Sequence, residues 1–389
     1  MRNKLILIIL PISLITFILS LMINRSGYFI FENRNFTDLN AVFYQKDTKQ
    51  LNSPGAAFAK SSDFLNDSFP LLVEFQSLNS DIKYKLDLFN FIFKKYSYKN
   101  YFYTDNGYFL SKIEVPNEQT IKFPAMKGYH YHEVAERINI PFYVYNVQRP
   151  EYTNLVRPNI RNEYDNFKHD FIVNLGPKIK YKEFNFDSIK DFEKYFHRID
   201  FHLNELGAYK AYSDIIKLIS EDFDVGKPRE IDNIETIKNN YMTSSNDVTK
   251  YIKEFDDIYK ITLKDSKGYE LKYLLQQFHD NLAKIIDQSQ ALYPNFLNFE
   301  LVYSHPTSER IYETFQADKP NLLILGDSFA IAPFPMIAQN FNKTFLVDTR
   351  SYQNFMIEDY IKENKIDAVL VLQHSHYIYF SGYFYLNLK

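Results

Sequence analysis

Two short segments carry the residue types of nucleophilic acyl chemistry. Gly326-Asp327-Ser328-Phe329 follows the apolar run Leu322-Leu323-Ile324-Leu325, where a strand should turn into a helix. A serine at such a turn projects its hydroxyl from the end of a sheet, and its own N–H lies near the helix start. That placement suits a nucleophile whose tetrahedral oxyanion needs donors close by. A plainer reading of the same tripeptide is a capped strand–helix turn in which Asp327 and Ser328 satisfy backbone groups. A serine nucleophile needs a base, and the base needs an orienting carboxylate. Asp200-Phe201-His202 offers both. In an extended loop, residues two apart project to the same side, so the carboxylate reaches one imidazole nitrogen while the other faces a substrate. In isolation the same pair reads as a surface Asp and a half-buried His. Asp and His also ligate zinc or iron, but His130-x-His132 is the one obvious supplement, and no metal or other cofactor is expected.

The elements that must position these residues are clearest near the carboxyl end. Leu322–Leu325, Thr344–Val347 and Ala368–Leu372 read as buried strands, with helices expected around Met336–Asn340 and Ile357–Asn364. Apolar strands separated by crossover helices imply a parallel sheet covered on both faces. Ligands then collect at the carboxyl ends of the strands, which here carry Ser328, Asp348-Thr349-Arg350 and Gln373-His374-Ser375-His376. Upstream, Pro141–Val147 reads as a buried strand, Ser188–Phe196 and Gly207–Ile219 as helices, and Asp105-Asn106-Gly107 as the turn of a hairpin. Residues 25–60 read as an irregular lead-in, followed by a helix over Ser61–Leu86 with Asp63 as its cap. The charged, Asn-rich stretch 221–315 reads as a helical insertion or lid. It divides the body into a first part, 61–220, and a second part, 316–389, that carries Ser328.

Composition narrows the function classes. Lys plus Arg is 45 and Asp plus Glu is 48, for a net charge of −3, so the basic excess of a nucleic-acid binder is missing. There is no cysteine, which excludes disulfides, thiolate zinc sites, iron–sulfur clusters and a cysteine nucleophile. The 32 Tyr and 36 Phe against no Trp fit an AT-rich coding bias before any aromatic function. Leu5–Ile23 is an uncharged apolar run that would span about 28 Å as a helix, close to a bilayer's hydrocarbon core. Arg2 and Lys4 precede it, so residues 1–24 are expected to be a signal-anchor with the body outside the cytoplasm, in the periplasm or at the cell exterior.

Together the two segments resemble a known family. Tyr195–Tyr209, containing Asp200-Phe201-His202, looks like the Asp-x-His segment of alginate O-acetyltransferase-like SGNH proteins and the related DHHW proteins, and Leu323–Phe329 resembles their Ser segment. The order is that of the permuted family, with Asp and His upstream of Ser. Phe64–Pro70, Thr104–Leu110 and the stretch Val347–Arg350 with Ile361–Leu370 are weaker matches. Two positions depart from the pattern: Leu203 replaces the Trp usual after the His, and Leu71 replaces an Arg. The resemblance implies an α/β fold, an SGNH-hydrolase-like parallel sheet flanked by helices with circularly permuted motif order. It further implies Ser328 as nucleophile, His202 as general base and Asp200 as its orienter, with Arg350 and Gln373 by position as oxyanion or substrate-binding donors. The expected activity is O-acyl transfer, most simply acetyl, to a cell-surface polysaccharide. The donor would be a partner resembling membrane-bound O-acyltransferases, and no nucleic acid would be bound. An esterase using the same triad with water, or a silent assembly protein keeping the fold, are the rivals.

Overall fold

A computed structural model describes residues 28–29, 34–35, 39–44, 50–67, 101–103, 108–111, 120–149, 161–198, 200–241, 256–265, 270–271, 296–297, 309–348 and 355–379. The chain divides into two compact units, one of Met1–Lys95, Thr243–Glu254 and His279–Asn298, the other of Tyr96–Met242, Phe255–Phe278 and Phe299–Lys389. In the first, helices Leu39–Phe43 and Pro54–Asp67 are described, with Val42 and Phe64 buried. The second helix begins inside the expected lead-in: Ser53 accepts from the Ala56 N–H at 3.3 Å, and Pro54 at the first turn lacks only a donor that would be unpaired anyway. The anchor expected over 1–24 lies outside the described residues, as does the expected helix beyond Asp67. Among the described residues no helix is long and apolar enough to cross a membrane.

The second unit is the α/β body. Its elements in chain order are the hairpin β1 (Tyr101–Tyr103) and β2 (Phe109–Ser111), α1 (Phe123–Ile138), β3 (Phe142–Val147), α2 (Arg161–Val173), β4 (Ile179–Phe184), α3 (Ile189–Tyr195) and α4 (Glu205–Ile219). Then come β5 (Ile231–Tyr241), β6 (Asp256–Leu263), β7 (Glu270–Leu271), β8 (Glu309–Glu313), β9 (Leu322–Gly326), α5 (Ser328–Ile331) and α6 (Phe334–Ala338). The last are β10 (Lys343–Val347), α7 (Ile357–Asn364), β11 (Ala368–His374) and α8 (Ser375–Tyr379). A seven-stranded sheet runs β4-β3-β11-β9-β10-β8-β7. Its first five strands are parallel neighbours, and β8 pairs antiparallel with both β10 and β7.

Every residue of β3, β9 and β11 is buried, as expected of strands covered on both faces. Alternation sorts their side chains. Val144, Leu323, Leu325, Val347, Val369 and Val371 share a core with Tyr131 and Val134 of α1, Phe167 and Phe171 of α2, and Ile357 and Tyr360 of α7. The opposite face of β3 meets α4: Tyr145 donates to Asp214 at 3.1 Å, and Tyr143 to Asp222, just beyond α4, at 2.6 Å. Burial is the largest cause raising both phenol pKa values, so they remain neutral donors. Each fully buried aliphatic or Phe side chain contributes about 1.5–3 kcal/mol, so this double-sided core is what holds the sheet. Tyr131, Tyr143, Tyr145 and Tyr212 are among the largest fully buried side chains, so these tyrosines are core.

The helical reading of 221–315 is corrected where that stretch is described. Ile231–Tyr241 and Asp256–Leu263 pair antiparallel, and Glu309–Glu313 joins the main sheet. Across the ladder Ile231 lies opposite Leu263, Ile234 opposite Ile261 and Thr236 opposite Tyr259, and such β-branched and aromatic residues fit a pleated surface better than a helix. Their intervening charges conceal the alternation.

One buried charge in this unit sets a testable pH dependence. Lys127 of α1 is fully buried and donates to the Tyr377 carbonyl of α8. Burial lowers its pKa from 10.5 to about 7, against the opposing pull of Asp327. Between those pH values the unfolded chain holds a proton that the folded chain has released, so Lys127 makes stability rise with pH through this window. Lys127→Met should flatten that rise: the gain in Tm from pH 7 to pH 9 should be several degrees smaller than in the unsubstituted protein. Parallel Tm curves for the two proteins would show that Lys127 keeps its proton when folded.

Candidate active site

The Ser segment is built by backbone constraints. Gly326 ends β9, where a Cβ would approach the Ala330 Cβ to 2.4 Å, so only glycine lets the chain fold back into α5. Asp327 caps that turn, its Oδ1 accepting from the Phe329 N–H at 2.8 Å. Ser328 is therefore the first residue of α5, at the carboxyl end of the central strand β9.

The Asp-x-His segment is a loop pinned at both ends. His197 N–H donates to the His202 carbonyl at 3.2 Å and Asn204 N–H to the Tyr195 carbonyl at 3.0 Å, closing the chain between α3 and α4 into a narrow loop. The Asn204 side chain donates to the carbonyls of Lys194 and Phe196 at 2.9 and 3.2 Å while its oxygen accepts from the Gly207 N–H, capping α4. Gly207 permits this closure, because a Cβ there would lie 2.2 Å from the Tyr195 carbonyl oxygen. Inside the loop, Asp200 Oδ1 accepts from the His202 N–H at 3.0 Å.

The two segments meet. His202 Nδ1 lies 2.6 Å from Asp200 Oδ1, and His202 Nε2 lies 2.8 Å from Ser328 Oγ. Asp200 is 2% exposed and His202 4%, so the pair lies in a water-poor interior beside a partly exposed serine. An acceptor-only carboxylate on Nδ1 holds the proton there, which leaves the Nε2 lone pair to accept the Ser328 hydroxyl. The Phe201 ring lies 4.3 Å from His202 and stacks with Phe329 at 6.0 Å, so aromatic faces wall the imidazole. The buried Arg149 guanidinium, just beyond β3, lies 4.7 Å from the Phe201 ring centre. This cation–π contact was not legible from spacing, because Arg149 follows a strand end with no motif around it.

The other expected donors fare differently. Arg350 lies outside the described residues. Gln373 is corrected: it shares the face of Val369 and Val371, and its Oε1 accepts from Tyr131 of α1 at 2.9 Å. Strand alternation carries it away from His202, onto the opposite side of the sheet. The next residue, His374, takes the side of the sheet that carries Phe329 and His202. It is buried, stacks on Phe329 at 4.5 Å and 15°, and places Nδ1 2.6 Å from Asp327 Oδ2. No group of three or more His, Asp or Glu residues able to hold a metal occurs among the described residues. A cavity of about 1000 Å³ lined by Tyr209, Ser213, Lys217, Asp222 and Lys227 contains none of Asp200, His202 or Ser328.

No protein-family model matches the sequence, and no curated protein does. Solved structures do. Bacillus cereus PatB1 aligns with a TM-score of 0.59 at 19% identity, over 75% of this chain and 100% of its own. A second structure of PatB1, with a sulfonyl adduct, aligns with a TM-score of 0.58 at 17% identity, over 74% of this chain and 99% of its own. A DHHW family protein from Eubacterium siraeum aligns with a TM-score of 0.54 at 15% identity, over 74% of this chain and 94% of its own. At these identities the likeness shows a shared fold, the one that the sequence resemblance implies.

Proposed function

We propose that this chain is an extracytoplasmic serine O-acyltransferase that moves an acyl group, most simply acetyl, onto a hydroxyl of a cell-surface polysaccharide. One observation carries the reading: a buried Asp200–His202 pair places the imidazole Nε2 2.8 Å from Ser328 Oγ. In the first half-reaction Ser328 gives its proton to His202 Nε2 as Oγ attacks the acyl carbonyl carbon. The tetrahedral intermediate expels the donor's oxygen, which takes the proton from His202 and leaves an acyl-Ser328 ester. In the second half an acceptor hydroxyl passes its proton to Nε2, attacks the ester and frees Ser328 with its proton restored. The Ser328 N–H would bind the oxyanion, with Arg350 as the second donor in this reading. No step asks for a metal or other cofactor.

The same fold in PatB1 and in a DHHW protein supports the reading, and the sulfonyl adduct on PatB1 makes sulfonyl fluorides suitable probes. The expected anchor over 1–24 would hold the domain at the outer face of the cytoplasmic membrane. There a membrane-bound acyl donor would be met at high effective concentration. With p-nitrophenyl acetate as donor, added soluble oligosaccharide should speed p-nitrophenol release, and mass spectrometry should find the acetyl group on the sugar. Release of free acetate alone at every acceptor concentration would make the protein an esterase. Absence of any Ser328-dependent turnover would leave the assembly-protein reading.

A further inference from the structure

A second Asp–His pair lies behind the nucleophile. Asp327 precedes Ser328 and is buried, and its two oxygens tie it to Phe329 and His374. Oδ1 takes the Phe329 N–H at 2.8 Å, which closes the first turn of α5. Oδ2 takes the His374 N–H at 3.1 Å and faces His374 Nδ1 at 2.6 Å. Ser328 thus stands between the two residues, Asp327 and Phe329, that this carboxylate joins to the end of the neighbouring parallel strand β11. The His374 ring also stacks on Phe329 at 4.5 Å, and the other contacts of Phe329 include His202 at 5.0 Å. The phenyl ring is therefore packed against both imidazoles, one of each Asp–His pair.

A capped turn needs one of these bonds, from Asp327 to the Phe329 N–H. The two from His374 add nothing to the cap but fix the carboxylate across strands. Burial is the largest cause holding the His374 pKa down, with Asp327 opposing, so the ring is a neutral donor through Nδ1. We infer that His374 is a positioning residue for Ser328. Through Nδ1 and its stack on Phe329, it locks the Asp327 carboxylate and hence the turn that aims the Ser328 hydroxyl at His202. The inference rests on the acyl-transfer role proposed for Ser328.

The test uses the full chain and three variants. His374→Asn keeps a donor at the Nδ1 position, His374→Phe keeps the stack without a donor, and His374→Gln carries its donor farther out. Three quantities are read: the second-order rate of Ser328 labelling by phenylmethanesulfonyl fluoride, kcat and KM with p-nitrophenyl acetate, and hydrogen exchange of the segment 326–332. In the Phe and Gln variants labelling and kcat should fall about tenfold with KM within twofold, and exchange should quicken. His374→Asn should recover most of all three. Were His374→Phe not to fold, His374→Gln against His374→Asn carries the same comparison. Unchanged labelling and exchange in the Gln variant, or an Asn variant as slow as the Gln one, would overturn the inference. If the unsubstituted protein neither labels nor turns over while exchange still quickens and is still rescued, the positioning tie stands and the acyl-transfer role falls.

Discussion

Ser328→Ala, His202→Ala and Asp200→Ala should each leave a folded protein and each remove most acyl transfer, by about 10³- to 10⁶-fold in kcat. In the proposed reaction Ser328 and His202 contribute to one event, the transfer of a proton as a bond forms, so losing either removes that event entirely. The double variant Ser328→Ala/His202→Ala should then be hardly slower than either single variant. Initial rates with p-nitrophenyl acetate, measured on proteins with matched Tm, provide the check. Losses that multiply in the double variant would mean that the two residues act separately, and the 2.8 Å contact between them would not be the proton path.

Asp200→Asn should be nearly as severe, about 10³- to 10⁴-fold in kcat, although it changes no volume. The carboxylate accepts both the His202 backbone N–H and the Nδ1 proton. Both bonds run to Oδ1, so an amide oxygen left in that place can keep them. What the substitution removes is the negative charge beside Nδ1, which in the proposed reaction stabilises the imidazolium formed as Ser328 gives up its proton. KM should change little, since Asp200 is buried behind the imidazole. An Asn variant with more than a tenth of the original kcat would show that Asp200 holds the loop but that its charge does not assist the imidazole.

The parts of this site that sequence made legible are those where chemistry and local backbone coincide. Gly326-Asp327-Ser328 needs a glycine for its close approach to Ala330 and an aspartate for its cap, so fold and function leave the same three letters. Asp200 and His202 belong to one short loop, and their spacing already implies that they touch. Strands β9, β10 and β11 each contain a continuous apolar run, Leu322–Leu325, Phe345–Val347 and Ala368–Leu372, because both faces are covered there. What was not legible depends on parity or on tertiary partners. Gln373 and His374 differ by one residue, and the pleat alone decides which of them faces α1 and which faces Asp327. Helix α1 is hidden by a buried lysine and a mid-helix glycine, each sensible only beside its neighbours: α8 for Lys127, and the Phe171 carbonyl of α2 for Gly128. Strand β4 carries Lys180 and Lys182 at the sheet edge, where they pair with Asp222 and Asp214, so its pattern is not apolar.

The covalent intermediate gives the most direct measurement. The protein is mixed with excess p-nitrophenyl acetate, quenched in acid during turnover and digested, and the peptide containing Gly326-Asp327-Ser328 is sequenced by mass spectrometry. An acetyl group on Ser328 is the expected result, absent from Ser328→Ala and from His202→Ala. Turnover that proceeds with no acetyl group on Ser328 at any quench time, or an acetyl group carried by another residue in Ser328→Ala at undiminished rate, would contradict the account.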